Sequence, residues 1–168
     1  MNLLVVRHAI AEDAAEWARG GGDETTRPLT SEGKKKMKKH AAALRRLVPD
    51  LDLLATSPFT RAAETAQILS AVYDKKRPVV VPVLAPGHGS AAVTAWLQTQ
   101  SAHDTVALVG HEPGLSSCVS WLIAGLERSA LELKKGGACF LSLPEKIEKG
   151  GGILTWLLTP SQLRELED

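Results

Sequence analysis

Short apolar runs alternate with amphipathic stretches along most of this chain. Leu3–Val6 and Thr105–Gly110 are nearly free of polar residues and are bounded by them, a pattern typical of strands buried on both faces of a parallel sheet. Between such runs, apolar residues recur with helical spacing. The chain is therefore predicted to form a three-layer αβα fold of the α/β class, with a mixed, mostly parallel sheet flanked by helices. Its 168 residues favour a single domain over 1–168.

The same pattern assigns the individual elements. Met37, Ala41, Leu44 and Val48 form one stripe of a helix capped by Thr30, and His40, among lysines on that helix, is expected to be exposed. A second helix is predicted with Ser57 as its cap and Pro58 in its first turn; another follows Pro113 and has Leu126 on its buried face. Strands are expected at 3–6, 52–57, 78–82 and 105–110, with a terminal antiparallel pair at 138–143 and 153–158.

The segment of residues 12–29 is longer than an ordinary connection. Asp13 and Glu16 have the spacing of a helix start, and Gly20–Gly22 would end a short helix carrying Trp17. Long irregular segments in compact domains are usually functional. Because this one follows the first strand directly, it is predicted to be a lid.

Charge and composition restrict the classes of function. The net charge of +1 argues against a nucleic-acid or membrane surface as partner. The apolar N-terminal stretch is too short to cross a bilayer and lacks a signal-peptide pattern. Cys118 and Cys139 have neither zinc nor disulfide spacing. A cytoplasmic location is therefore expected. A basic segment at 34–46 is interpreted as a solvated helix face or as a docking surface for an acidic protein.

Chemically active residues gather at predicted strand ends. Arg7 and His8 follow the first strand, Arg61 lies in the first turn of the helix after the second, and His111 follows the strand 105–110. Ligands of open α/β sheets collect at this edge. Guanidinium groups bind phosphate oxygens in pairs, and helix starts add free N–H groups. The four residues therefore predict a pocket for a phosphoryl group, which phosphate or sulfate could also occupy.

Histidine in such a pocket can act as nucleophile, acid–base group or metal ligand. Metal binding is the weakest interpretation, because the sequence has no paired ligand spacing and the arginines would repel a cation; no cofactor is expected. A P-loop and the spacing of a cysteine phosphatase are also missing. In the alternative structural interpretations, Arg61 would pair with Glu64 on its own helix, and Glu112 would hold His111 or the helix start.

Three motifs in this order resemble the histidine phosphatase superfamily, which has the phosphoglycerate-mutase-like fold. They are Leu-Val-Val-Arg7-His8-Ala9, Thr56-Ser57-Pro58-x-x-Arg61-Ala62-x-x-Thr65-Ala66 and Val109-Gly110-His111-Glu112-Pro113. The small size and Arg27-Pro28-Leu29-Thr30-x-x-Gly33 make the chain most similar to the SixA-like phosphohistidine phosphatases of that superfamily.

The resemblance implies that His8 attacks phosphorus and becomes transiently phosphorylated, while Arg7, Arg61 and His111 bind the phosphoryl oxygens. Two positions depart from the family. Ala9 stands where glycine is usual, and the loop 84–89 lacks the glutamate acid of larger members. Glu12 and Asp23 in the lid are the candidate replacements for that acid.

The expected activity is hydrolysis of protein phosphohistidine, with a phosphorelay or phosphotransfer carrier protein as partner. An imidazole whose distal nitrogen is protonated can leave as a neutral group, so the missing glutamate favours this substrate over an ester. The alternatives are a small-molecule phosphomonoesterase or mutase of the same fold and a non-catalytic module that binds phosphorylated proteins.

Overall fold

The computed structural model describes residues 1–166. Six strands form one sheet: β1 (Asn2–Arg7), β2 (Leu53–Thr56), β3 (Val79–Val80), β4 (Thr105–Gly110), β5 (Ala138–Ser142) and β6 (Ile153–Leu158). The helices are α1 (Ala14–Arg19), α2 (Ser31–Leu47), α3 (Thr60–Val72), α4 (Ser90–Gln98), α5 (Gly114–Ala124) and α6 (Pro160–Glu165), with 3₁₀ turns at Glu24–Thr26 and Pro82–Leu84.

The sheet has the order β3-β2-β4-β1-β5-β6. The first four strands in sequence run parallel, and β5 and β6 are antiparallel, which confirms the predicted mixed sheet and its terminal pair. Because β1 and β2 both flank β4, the carboxyl ends of three parallel strands lie side by side. The short strand β3, bounded by prolines, lies at one edge, as predicted.

Helices cover both faces of the sheet. Alternate residues of β1 point to opposite sides: Leu4 and Val6 pack toward α2, α3 and α6, and Leu3 and Val5 pack toward α4 and α5. All four are at most 2% exposed, which explains why the strand is an unbroken aliphatic run. No helix within residues 1–166 is long and apolar enough to cross a membrane.

Helix α2 confirms the predicted stripe but corrects the placement of one residue. Thr30 caps the helix by accepting the N–H of Gly33 at 2.9 Å, and Met37 and Leu44 are fully buried. His40 was expected to be exposed, but it is 2% exposed. It lies one turn from Met37 on the same stripe, and the turn at Gly136 packs against its ring.

Three further expectations about helix ends need correction. Helix α3 begins at Thr60, so Pro58 lies outside it, and no side chain caps it; the Ser57 hydroxyl contacts His111 instead. Helix α5 ends at Ala124 because Gly125 adopts φ +69°, which leaves Leu126 outside the helix and exposed. Helix α6, capped by Thr159, had no counterpart in the sequence pattern.

Candidate active site

The carboxyl ends of β1, β4 and β2 bring the four predicted residues into one site. Backbone bonding continues past the strands: His8 N–H donates to Gly110 O at 3.0 Å, and Ser57 N–H donates to Val109 O at 2.9 Å. The rings of His8 and His111 lie 5.1 Å apart between centroids. Arg61, from the first turn of α3, donates its Nε–H to His8 Nε2 at 3.3 Å. Residues from three distant parts of the sequence therefore lie next to one another at this sheet edge.

The ring of His8 is oriented by a backbone carbonyl. Its Nδ1 lies 2.7 Å from Ala9 O. Since a carbonyl oxygen only accepts hydrogen bonds, Nδ1 carries the proton, and in the neutral ring the lone pair resides on Nε2. That nitrogen faces the guanidinium of Arg61. This backbone contact therefore fixes the tautomer of His8.

Both histidines are held in the neutral form. Burial, followed by the nearby cationic groups, lowers the pKa of His8 to about 3, although its bond to the Ala9 carbonyl opposes the shift. Burial and then Arg61 lower the pKa of His111 to about 4. Each side chain is 5% exposed. A neutral imidazole keeps the lone pair that a nucleophile needs.

His111 is held by groups from β2 and the turn after it. Its Nε2 lies 2.8 Å from Ser57 Oγ, and the ring of Phe59 meets it edge-on at 5.2 Å between centroids. The Nδ1 atom is buried, with no hydrogen-bond partner among residues 1–166. The Nε atom of Arg7 is also buried without a hydrogen-bond partner among these residues, while Arg7 Nη1 donates to Leu133 O at 2.8 Å. A ligand with acceptor oxygens would satisfy both nitrogens.

Glu24, which belongs to none of the sequence motifs, contacts the site directly. Its carboxylate accepts from Arg61 Nη2 at 3.0 Å and its carbonyl from Arg61 Nη1 at 3.0 Å. Arg27 holds the same carboxylate through Nε and Nη2 at 2.8 and 2.7 Å. Hydrogen bonding by Arg27 keeps the pKa of Glu24 low. Glu24, rather than Glu64, is therefore the acidic partner of Arg61; Glu64 instead binds Lys34 and the N–H of Leu29.

The two predicted acid candidates lie elsewhere in the same segment. The Asp23 carboxylate accepts from Thr25 N–H at 2.7 Å and begins the 3₁₀ turn, and its side chain is exposed. Glu12 is also exposed, and its carbonyl, rather than its carboxylate, accepts from Arg27 at 2.7 Å. The 3₁₀ turn that follows Asp23 places Glu24 over Arg61, a placement that no sequence spacing signals.

A cavity of about 370 Å³ adjoins His111. The loop 83–90 forms one wall, and the start of α5 with Glu112 forms the other. Burial raises the pKa of the Glu112 carboxyl, whose Oε2 accepts from Ser116 and whose Oε1 is buried without a partner among the described residues. The carboxyl thus binds the first turn of α5 rather than His111.

Residues 1–166 contain no cluster of three or more histidine, cysteine or acidic side chains placed to hold a metal ion. The hydrogen-bond donors that converge here are instead two guanidiniums and two neutral imidazoles. This arrangement matches a phosphoryl dianion, whose oxygens accept from such donors.

Comparisons with known proteins give the same family that the motifs indicate. The sequence profile of the histidine phosphatase superfamily (branch 1) matches residues 3–84. An uncharacterized protein of Picosynechococcus sp. is 37% identical over 139 residues, which cover 82% of each chain.

Solved structures share the fold over nearly the whole chain. One is the protein histidine phosphatase SixA complexed with tungstate, at TM-score 0.83 and 24% identity, covering 97% of this chain and 99% of that one. Another is a phosphoserine phosphatase variant from Entamoeba histolytica with phosphoserine, at TM-score 0.69 and 16% identity, covering 96% and 98%. With its Arg7-His8 pair, Arg61 and His111 assembled at one sheet edge, the chain belongs to the histidine phosphatase superfamily.

Proposed function

We propose that this protein hydrolyses phosphohistidine in proteins, through a covalent phosphoryl intermediate on Nε2 of His8. The observation that carries the proposal is the 2.7 Å contact of His8 Nδ1 with Ala9 O, which leaves the Nε2 lone pair facing Arg61. A non-catalytic module would need only cationic donors. It would not need a neutral imidazole whose lone pair faces the cationic pocket.

The reaction has two displacements at phosphorus. In the first, the His8 Nε2–P bond forms while the P–N bond to the substrate imidazole breaks. In the second, a water oxygen bonds to phosphorus and the His8–P bond breaks, releasing inorganic phosphate. Arg7 Nε, the guanidinium of Arg61 and His111 Nδ1 donate to the phosphoryl oxygens, because negative charge on these oxygens is what the site must stabilise.

The leaving group favours phosphohistidine over a phosphate ester. An alkoxide must be protonated as it departs, whereas a substrate imidazole with a proton on its distal nitrogen departs as a neutral group. Neither Glu12 nor Asp23 directs its carboxylate at Arg61, and the ion pairs of Glu24 keep it ionised. The cavity beside His111 offers space for the departing ring. A cytoplasmic phosphotransfer carrier protein is the proposed substrate.

A phosphomonoesterase activity is the second candidate, because one carboxyl near the site has a raised pKa. Burial raises the pKa of Glu112, which lines the cavity beside His111, and a protonated carboxyl there could donate to an ester oxygen. A phosphatase of the same fold binds phosphoserine. In this case Glu112, rather than Glu12 or Asp23, would supply the proton.

The test compares phosphate release from a phosphohistidine-containing carrier protein and from a phosphoserine peptide, with wild type, His8→Ala and Glu112→Gln. We expect the phosphohistidine substrate to be preferred, and His8→Ala to lose at least about 1,000-fold in rate because the nucleophile is gone. Glu112→Gln should leave phosphohistidine turnover within about twofold, since a neutral leaving group needs no acid.

The matched control is His88→Ala, a change at an exposed histidine on the same cavity, which should retain activity. Release that survives His8→Ala would contradict the nucleophile. Faster hydrolysis of the phosphoserine peptide, with a loss in Glu112→Gln, would favour the phosphomonoesterase.

A further inference from the structure

A second cavity, of about 440 Å³, lies on the α2 and α6 side of the site and is named here the basic groove. Besides Arg7 of the site, four cationic side chains line it, and none of the described residues that line it is acidic. They come from three separate elements: α2, the loop before β5, and α6. They are Lys36, Lys134, Lys135 and Arg164.

This concentration of charge is not a consequence of overall composition, since the chain carries a net charge of only +1. Nor is it the basic segment 34–46 as a whole. Lys34 pairs with Glu64, and Arg45 pairs with Asp74 on the far side of α2. Of the lysines and arginines of that segment, only Lys36 lines the groove. The other three cations are far away in the sequence, so the fold creates the groove.

The groove adjoins the segment that carries the nucleophile. Arg7, Ala9 and Ile10 form part of its wall. The loop that bears Lys134 and Lys135 is bonded to the same segment, because the N–H of Gly136 donates to His8 O at 3.1 Å. A chain lying in the groove therefore runs along the segment of Arg7, Ala9 and Ile10 that carries His8.

The cations of the groove are available to an incoming anion. Lys36 pairs with Glu32 at 2.5 Å and Lys134 with Glu132 at 2.8 Å, but the two acidic side chains are 67% and 68% exposed. Exposed pairs of this kind are weak and easily exchanged. Lys135 and Arg164 have no ion pair within residues 1–166. The groove thus favours negative charge at little cost.

We infer that the basic groove binds an acidic segment of the phosphoprotein substrate, next to its phosphohistidine. The inference rests on the proposed function. Carboxylates of an extended substrate segment reach several cations at once, and the volume matches a binding cleft for a few side chains. Because such contacts lie outside the reacting centre, they increase substrate capture without altering the chemical step.

The test uses two phosphohistidine peptides that differ only in having aspartate or serine residues around the phosphohistidine, and phosphoramidate as a small substrate with the same P–N bond. For the wild type we expect kcat/KM to be about threefold to tenfold higher for the acidic peptide. The difference should arise from a lower KM, and it should disappear at high salt. Lys135→Glu/Arg164→Glu should abolish this preference. Turnover of phosphoramidate should not change.

Two further variants keep the result interpretable. Lys135→Ser removes one charge without introducing another and should reduce the preference in part. Lys149→Glu reverses the charge of one lysine, as each substitution of the double variant does, but on the exposed β5–β6 connection away from the groove, and it should retain the full preference. Equal kcat/KM for the two wild-type peptides, or an equal loss in Lys149→Glu, would overturn the groove assignment alone. No release from any P–N substrate would instead overturn the proposed function.

Discussion

At His8, one backbone oxygen decides which nitrogen is able to attack phosphorus. The Ala9 carbonyl accepts a hydrogen bond from Nδ1–H, and burial disfavours a second proton on the ring. Ala9, which replaces the usual glycine of the family, fits here because its backbone lies outside the left-handed region and its methyl group is buried.

Arg61 raises a different question, because a carboxylate already lies on the guanidinium that is to bind phosphate. Glu24 accepts from Nη2, and Arg27 holds it there. The negative charge of Glu24 competes with a phosphoryl dianion for Arg61 and repels it.

We therefore expect Glu24→Gln to bind inorganic phosphate or orthovanadate about threefold to tenfold more tightly. The amide oxygen can still accept from Arg61, so the orientation of the guanidinium is retained while the charge is lost. The inhibition constant against phosphoramidate hydrolysis measures the effect. Glu16→Gln, an exposed change on α1, is the control; weaker inhibition of Glu24→Gln would mean that the carboxylate assists anion binding.

At the scale of elements, α2 and α3 clamp the segment that follows β1. Thr65 on α3 accepts the N–H of Ala9 at 3.1 Å and donates to Arg61 O at 2.7 Å. Gly33 on α2 packs so closely that a Cβ atom there would lie 2.1 Å from Ile10 O. The two helices therefore fix the backbone on which His8 is oriented.

Gly33→Ala should displace this segment, because the added methyl group meets a backbone oxygen that cannot rotate away. We expect a loss of about 1–3 kcal/mol in the free energy of unfolding, as for other overpacked sites, together with a lower kcat. Urea denaturation and steady-state kinetics check both. Gly89→Ala, where a Cβ would meet no atom within 4 Å, is the control. An unchanged stability of Gly33→Ala would show that the backbone at Ile10 can move without a loss of free energy.

For the whole molecule, the sequence was sufficient for the layers and for the four strand-end residues, because aliphatic runs and the Arg7-His8 pair are local signals. It was insufficient for Glu24 and His40. The contact of Glu24 with Arg61 depends on a 3₁₀ turn in an irregular segment, and His40 is covered by a turn almost 100 residues away. The basic groove could not be predicted from the sequence for the same reason, because its cations converge only when α6 and the loop before β5 pack beside α2.

The two site histidines also couple the stability of the whole fold to pH. Their pKa values in the folded protein, about 3 for His8 and about 4 for His111, lie below the value of 6.5 for an unperturbed histidine. Between these values the unfolded chain binds protons that the folded protein excludes, so acidification favours unfolding. Their contribution is fully present above pH 6.5 and declines as the pH falls toward 4.

We expect the free energy of unfolding to decrease on going from pH 7 to pH 5 by on the order of 2 kcal/mol for each of the two histidines. Urea denaturation at the two pH values measures it. His8→Gln and His111→Gln should each show a smaller decrease than wild type, whereas His88→Gln, at an exposed ring, should show the same decrease. Equal decreases in all four proteins would mean that neither site histidine is held neutral by burial.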